Sequence, residues 1–190
     1  MNTIYLISNV HRSGSSMMMR CLTEAGMTGL FDTRIDNLIF QDDYHPNPNG
    51  FYQNYPNIED RILDAVGCVT KFPWRNLKTL PIYENIKYKI IFLKRNPQDI
   101  RSSMSAFSPF FSWGADNVVL DFYDEVIDPI LDELEARTDV ELTVLNYRDI
   151  VLNPNTEFAK LIEAGWPINV EIATSMVDSS LQRFKLENNG

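Results

Sequence analysis

Apolar residues are laid out along this chain in two rhythms. Three short runs, at about 3–9, 88–94 and 140–145, are rich in Ile, Leu, Val, Tyr and Phe and read as strands. Between them the apolar positions recur at helical spacing, which predicts helices over about 15–26, 97–107 and 154–164. A longer amphipathic helix is predicted over 117–137, with Val119, Phe122, Val126, Ile130 and Leu134 on one face and Pro129 as a kink or break. Asn57 reads as the cap of a helix through Ile62 and Val66, and a short strand from Gly67 to Lys71 leads into Phe72-Pro73-Trp74. Segment 28–56, full of Asn, Asp and Pro, reads as loop. Strands alternating with helices predict βαβ units. The expected fold is therefore α/β, three layers α/β/α around a central, mainly parallel sheet, with ligands at the carboxyl ends of the strands.

Composition narrows this picture. The chain has 190 residues, 44% of them hydrophobic, and Pro and Gly are spread without a linker, repeat or low-complexity tract, so a single domain over 1–190 is expected. No apolar run approaches the roughly 20 residues of a membrane helix, and the first residues carry no basic-then-apolar leader, so a cytoplasmic, non-membrane protein is expected. Two cysteines, Cys21 on the first helix and Cys68 in the short strand, read as buried free thiols. With only two histidines beside them, no zinc site is expected. A net charge of −9 argues against a nucleic-acid partner, whose affinity rests on phosphate neutralisation. Against that acidic background Arg12, Lys71 and Arg95 all fall at predicted strand ends, as an anionic ligand would require.

The chemistry concentrates where the first strand turns into the first helix. His11-Arg12-Ser13-Gly14-Ser15-Ser16-Met17 places a guanidinium, three hydroxyls and a glycine at a helix N-terminus, whose unpaired amides and dipole favour an anion. A nucleoside-triphosphate loop fits poorly: Ser15 follows Gly14 where Lys is required, and no glycine precedes it at the right spacing. A second anion-binding pair follows the strand at 88–94. Asn96 reads as an N-cap and Pro97 as the first helical residue, so Arg95 and Ser103 can converge on one phosphate.

The first loop resembles the 5′-phosphosulfate loop of sulfotransferases, with Arg12 as its basic residue, Ser13-Gly14-Ser15-Ser16 as its core and His11 where proline is common. Arg95 and Ser103 are similar to the family's 3′-phosphate motif, an Arg after a strand and a Ser eight residues on. The strand-then-Tyr147-Arg148-Asp149-Ile150 block ending at Asn153-Pro154 is similar to a third family block, with Arg148 where glutamate is usual. Asn47-Pro48-Asn49-Gly50-Phe51-Tyr52-Gln53 resembles a segment of small bacterial-type sulfotransferases, with Gln53 in place of an acid. Val177-Asp178-Ser179-Ser180-Leu181-Gln182-Arg183 resembles the C-terminal segment.

The resemblance implies a P-loop NTPase-like sulfotransferase fold and transfer of a sulfuryl group from 3′-phosphoadenosine 5′-phosphosulfate to a hydroxyl or amine of a small-molecule or glycan acceptor. The product would be adenosine 3′,5′-bisphosphate, and no metal would be required. It implies that Arg12 holds the bridging and sulfonate oxygens, that amides of Gly14 to Met17 with Ser15 and Ser16 cradle the 5′-phosphate, and that Arg95 and Ser103 hold the 3′-phosphate. Tyr147 would touch the nucleoside end, Arg183 would return to the phosphates, and Lys71 would stand beside the transferred group. Each has a plainer reading: Tyr147 as a core-packing tyrosine at a strand end, Lys71 as a solvated lysine, Arg183 as a solvated tail residue. His45 is the leading base for the acceptor proton, with Asp42, Asp43 and Glu59 as alternatives. A nucleotide- or phosphate-binding protein without transfer activity remains open, as does, more remotely, a P-loop kinase.

Overall fold

The computed structural model describes residues 2–33, 50, 52–107 and 123–178. Its centre is a four-stranded, all-parallel sheet of β1 (Asn2–Asn9), β2 (Val69–Lys71), β3 (Ile86–Lys94) and β4 (Val140–Asn146), in the order β2-β1-β3-β4. Helices α1 (Ser15–Glu24), α2 (Pro97–Phe107), α3 (Asp128–Glu135), α4 (Tyr147–Leu152), α5 (Pro154–Glu163) and α6 (Val170–Ser175) connect and flank it.

Side chains alternate across the sheet, so one strand feeds two cores. Ile4 and Leu6 of β1 join Tyr88, Ile90 and Phe92 of β3 under Ile62, Leu77, Ile100, Ile130 and Leu134. Ile7 of β1 joins Val69, Ile91, Leu93 and Leu145 under Met18, Met19, Leu22, Ile150, Phe158 and Leu161. These residues are all but fully buried, each worth about 1.5–3 kcal/mol against exposure. Strands rich in apolar residues follow from having helices on both faces. Cys21 is buried and free, its thiol pushed up to about 12 by burial against the opposing charge of Arg20. Among the described residues no helix is long and apolar enough to cross a membrane.

Several expectations need correction, and three elements were not expected. Asn57 does not cap a helix: its φ of 54° is left-handed, and 56–60 are turns that lead only to a 3-10 turn at Ile62–Ala65. The strand expected from Gly67 begins at Val69, because Gly67 takes φ 76° and the Cys68 amide closes a turn onto Ala65 O; Cys68 is half-buried. The long helix over 117–137 is, in its described part, a π-helical turn at Tyr123–Ile127 followed by α3. The wider π turn carries Tyr123 and Ile127 inward and leaves Val126 38% exposed, while Pro129 opens α3 instead of breaking a helix. Finally, α4, α6 and a 3-10 turn at Trp74–Thr79 carried no periodic signal. Six-residue segments are too short to show one.

Candidate anion-binding site

The strand order reverses direction at β1. The chain leaves β1 for β2 on one side and returns to β3 on the other, so the crevice beyond the carboxyl ends of β1 and β3 is the switch point of the sheet. Register then dictates what meets there. Asn9 lies opposite Leu93 and Lys94 opposite Asn146, so the loop after β1, Arg95 after β3 and Tyr147 after β4 emerge side by side. Ile7 lies opposite Lys71, which brings the end of β2 to the same edge.

Arg12, Ser103, Arg95 and Tyr147 form one connected cluster, and Lys71 pairs with Ser16 at the same edge of the sheet. Arg12 Nε donates to Ser103 Oγ at 3.1 Å, and Arg95 Nη1 donates to the Arg12 carbonyl at 2.8 Å. Lys71 Nζ donates to Ser16 Oγ at 2.9 Å in the first turn of α1. The Arg95 guanidinium lies over the Tyr147 ring, 4.4 Å from its centroid. Asn96 Oδ1 accepts from the Gln98 amide at 2.8 Å, the cap expected for α2, and Ser103 is buried on that helix.

Helix α1 starts at this cluster. Its N-cap is Gly14 at φ 94°, with no side-chain cap and no acidic residue in the first turn, so the positive end of its dipole is not offset from within the helix. Glycine is needed at 14 twice over, since a Cβ would fall 2.5 Å from Tyr147 Cδ2 in a backbone conformation side chains rarely adopt. Ser13 is fully buried, its hydroxyl near the Tyr123 phenol but without a well-formed hydrogen bond, and Arg95 Nε is also buried without a partner. Among the described residues Arg95 pairs with no carboxylate, whereas its neighbour Lys94 meets Asp128 at 2.5 Å. Burial, then the Arg75 and Arg12 charges, hold His11 below the usual imidazole range. Burial raises the Tyr147 phenol above its ordinary value, against the pull of Arg95 and Arg12.

Thus Arg12, Ser13, Gly14, Ser15, Ser16, Met17, Lys71, Arg95, Ser103 and Tyr147 stand at one end of the sheet. His45 and Arg183, with Asp42 and Asp43, lie outside the described residues. Glu59 is exposed on the turn at 56–60. Of the Asn47–Gln53 segment, Gly50, Tyr52 and Gln53 are described; Gln53 bridges Asp32 in antiparallel fashion, and Tyr52 packs edge-on against Phe31. Sequence reasoning missed Tyr123, whose hydroxyl accepts from the Arg95 amide at 3.2 Å. Read as part of a regular helix, it carried no signal of facing inward.

A buried donor without an acceptor, cations and a dipole of one sign, and a glycine turn suit an oxyanion carrying more than one negative group. No protein-family profile and no curated protein sequence matches this chain. Among solved structures it is similar to the sulfotransferase domain from the curacin biosynthetic pathway, with a TM-score of 0.49 and 15% identity, covering 90% of this chain and 77% of that one. It is similar to retinol dehydratase in complex with androsterone and the inactive cofactor PAP (TM-score 0.48, 16% identity), covering 91% of this chain and 62% of that one. A sugar kinase from Janibacter sp. HTCC2649 gives a TM-score of 0.39 at 14% identity, covering 92% of this chain and 97% of that one.

Proposed function

We propose that this protein is a sulfotransferase that moves a sulfuryl group from 3′-phosphoadenosine 5′-phosphosulfate to a hydroxyl or amine acceptor. The observation that carries the reading is the 3.1 Å bond between Arg12 and Ser103, which joins the loop at the N-terminus of α1 to the Arg95–Ser103 pair. Two anion-binding elements far apart in sequence become one site, as a nucleotide phosphorylated at two positions requires. The buried Arg95 Nε, without a partner, fits such a ligand.

In this reading the amides of Gly14 to Met17, with Ser15 and Ser16, hold the 5′-phosphate end, and Arg95 with Ser103 holds the 3′-phosphate. When bound, the nucleotide supplies an activated sulfonate whose departure leaves charge on a phosphate. The protein's own task is then positioning and charge stabilisation. Arg12 offers a fixed fork to that developing charge. Lys71, already directed at the first turn of α1, offers a second cation beside it. The loop itself lacks the lysine that a nucleoside-triphosphate loop carries after its second glycine, which counts against a nucleoside-triphosphate kinase. His45 is proposed as the acceptor base and Arg183 as a further phosphate ligand. The acceptor is proposed to be a small molecule or glycan and the setting cytoplasmic.

The test is incubation with 3′-phosphoadenosine 5′-phosphosulfate and a panel of phenols, alcohols, amines and glycans, following release of adenosine 3′,5′-bisphosphate. Acceptor-dependent release that disappears in Arg12→Ala is expected. Tight bisphosphate binding with no release across the panel would instead mark a binding protein of the same architecture.

A further inference from the structure

The residues after β1 hold an unfavourable backbone. Arg12 takes φ 68° and Gly14 φ 94°, two left-handed residues flanking the buried Ser13. A non-glycine residue there costs on the order of 1–3 kcal/mol and persists only where its surroundings over-determine it. Three groups do so here. Arg95 Nη1 holds the Arg12 carbonyl, Ser103 accepts from the Arg12 side chain, and the Tyr147 ring occupies the space where a Cβ of residue 14 would stand. That ring also carries the Arg95 guanidinium on its face, and the Tyr123 hydroxyl fixes the Arg95 backbone amide.

We infer that Tyr147 is a positioning residue: its ring, wedged against Gly14 and under Arg95, locks the loop at 12–14 in its anion-binding conformation. The resemblance to sulfotransferases gave this tyrosine a contact with the nucleoside end of the ligand. The geometry gives its ring a different task, and its hydroxyl makes no hydrogen bond to any described residue. The ring, the guanidinium and the glycine come from three adjacent strand ends, so the brace couples the 5′-phosphate loop to the 3′-phosphate arginine. Arg95 serves in it as a planar group as well as a charge, a combination lysine does not supply.

The inference rests on the sulfotransferase reading for what the loop binds, but not for the brace itself, and the experiment separates the two. Wild type, Tyr147→Phe, Tyr147→Leu and Arg95→Lys, each checked for folding by thermal melting, are compared in two ways. The first is hydrogen exchange of the Met18 amide, which donates to the Gly14 carbonyl at 3.0 Å, without ligand. Tyr147→Phe should match wild type, while Tyr147→Leu and Arg95→Lys should exchange at least about tenfold faster there and not in β1 or β3. The second is calorimetric binding of adenosine 3′,5′-bisphosphate and of inorganic pyrophosphate. Tyr147→Leu should weaken both at least about tenfold, and Tyr147→Phe should stay within about twofold of wild type for both.

Unchanged Met18 exchange in Tyr147→Leu overturns the inference. So does a Tyr147→Phe variant that loses bisphosphate affinity as fully as Tyr147→Leu while still binding pyrophosphate, since the hydroxyl would then be reading the nucleoside. Should wild type bind neither ligand, the sulfotransferase reading fails and the exchange data still decide the brace.

Discussion

Arg95, beyond the carboxyl end of β3, and the cations at the amino-terminal ends of β3 and β4 are held in opposite ways. At the amino-terminal ends of β3 and β4, Lys87 and Lys89 both meet Glu141, at 3.0 and 2.8 Å, and Arg137 meets Asp139 at 2.7 Å. At the carboxyl end, Arg95 meets a carbonyl, a phenol oxygen at its amide and an aromatic face, and no carboxylate among the described residues. Neutral dipoles and rings orient a guanidinium without cancelling its field. An ion pair orients it and removes most of that field. In a protein of net charge −9, a cation held by neutral groups is available to an anionic ligand, and a paired one is structural. The adjacent residues Lys94 and Arg95 show the division within two positions.

Removing one charge from each end separates the two. Arg12→Ala is expected to lower turnover about 10²–10³-fold, the usual cost of deleting a donor aimed at developing charge. Steady-state release of the bisphosphate measures this, and turnover within a few-fold of wild type would reject the loop assignment. Next in size, Arg95→Ala and Ser103→Ala should each weaken adenosine 3′,5′-bisphosphate by about 1.5–3 kcal/mol more than adenosine 5′-monophosphate, since both are assigned to the one phosphate these ligands do not share. Equal losses for the two nucleotides in calorimetry would make this pair structural.

Gly14→Ala introduces a Cβ 2.5 Å from the Tyr147 ring at φ 94°. It should cost about 1–3 kcal/mol of stability and lower Tm, with nucleotide affinity falling alongside. A variant as stable as wild type would remove the steric argument.

The smallest effect belongs to the other end. Glu141→Gln deletes two half-exposed pairs and should cost about 1 kcal/mol or less at neutral pH, leaving nucleotide binding unchanged. Hydrogen bonding from Lys89 and then Lys87 holds the Glu141 carboxyl below its ordinary value of 4.5. The bond from Arg137 holds Asp139 below 3.8. Lowered folded values mean this stabilisation is present above the ordinary carboxylate range and is lost as pH falls through the folded values. Acid unfolding of Glu141→Gln should accordingly be shallower below about pH 4.5 than that of wild type. A loss of nucleotide binding in this variant would blur the contrast between the ends.

What could be read in the sequence was what depends on local chemistry. Apolar runs gave the strands, Asn96 and Pro97 gave the start of α2, and the hydroxyl-glycine turn gave the loop at α1. Arg12, Lys71, Arg95 and Tyr147 could be grouped because each follows a strand, and parallel strands bring their carboxyl ends together. Features set by tertiary packing were not legible. The left-handed Asn57 turned a predicted helix into turns, and the π turn at Tyr123–Ile127 rotated Tyr123 into the site. The stacking of Tyr147 on Gly14 and Arg95 depends on the register between β1, β3 and β4, which no single segment encodes.

We propose that the carboxyl end of this sheet holds a nucleotide phosphorylated at its 3′ and 5′ positions. Thermal unfolding with adenosine 3′,5′-bisphosphate, beside ATP with Mg²⁺, tests it most directly. Ligand bound only to the folded state stabilises by RT ln(1 + [L]/Kd), about 2.7 kcal/mol at a hundredfold excess over Kd. A saturable rise in Tm is expected with the bisphosphate, lost in Arg95→Ala, with little or none from ATP and Mg²⁺. A rise with ATP and Mg²⁺ alone would contradict it.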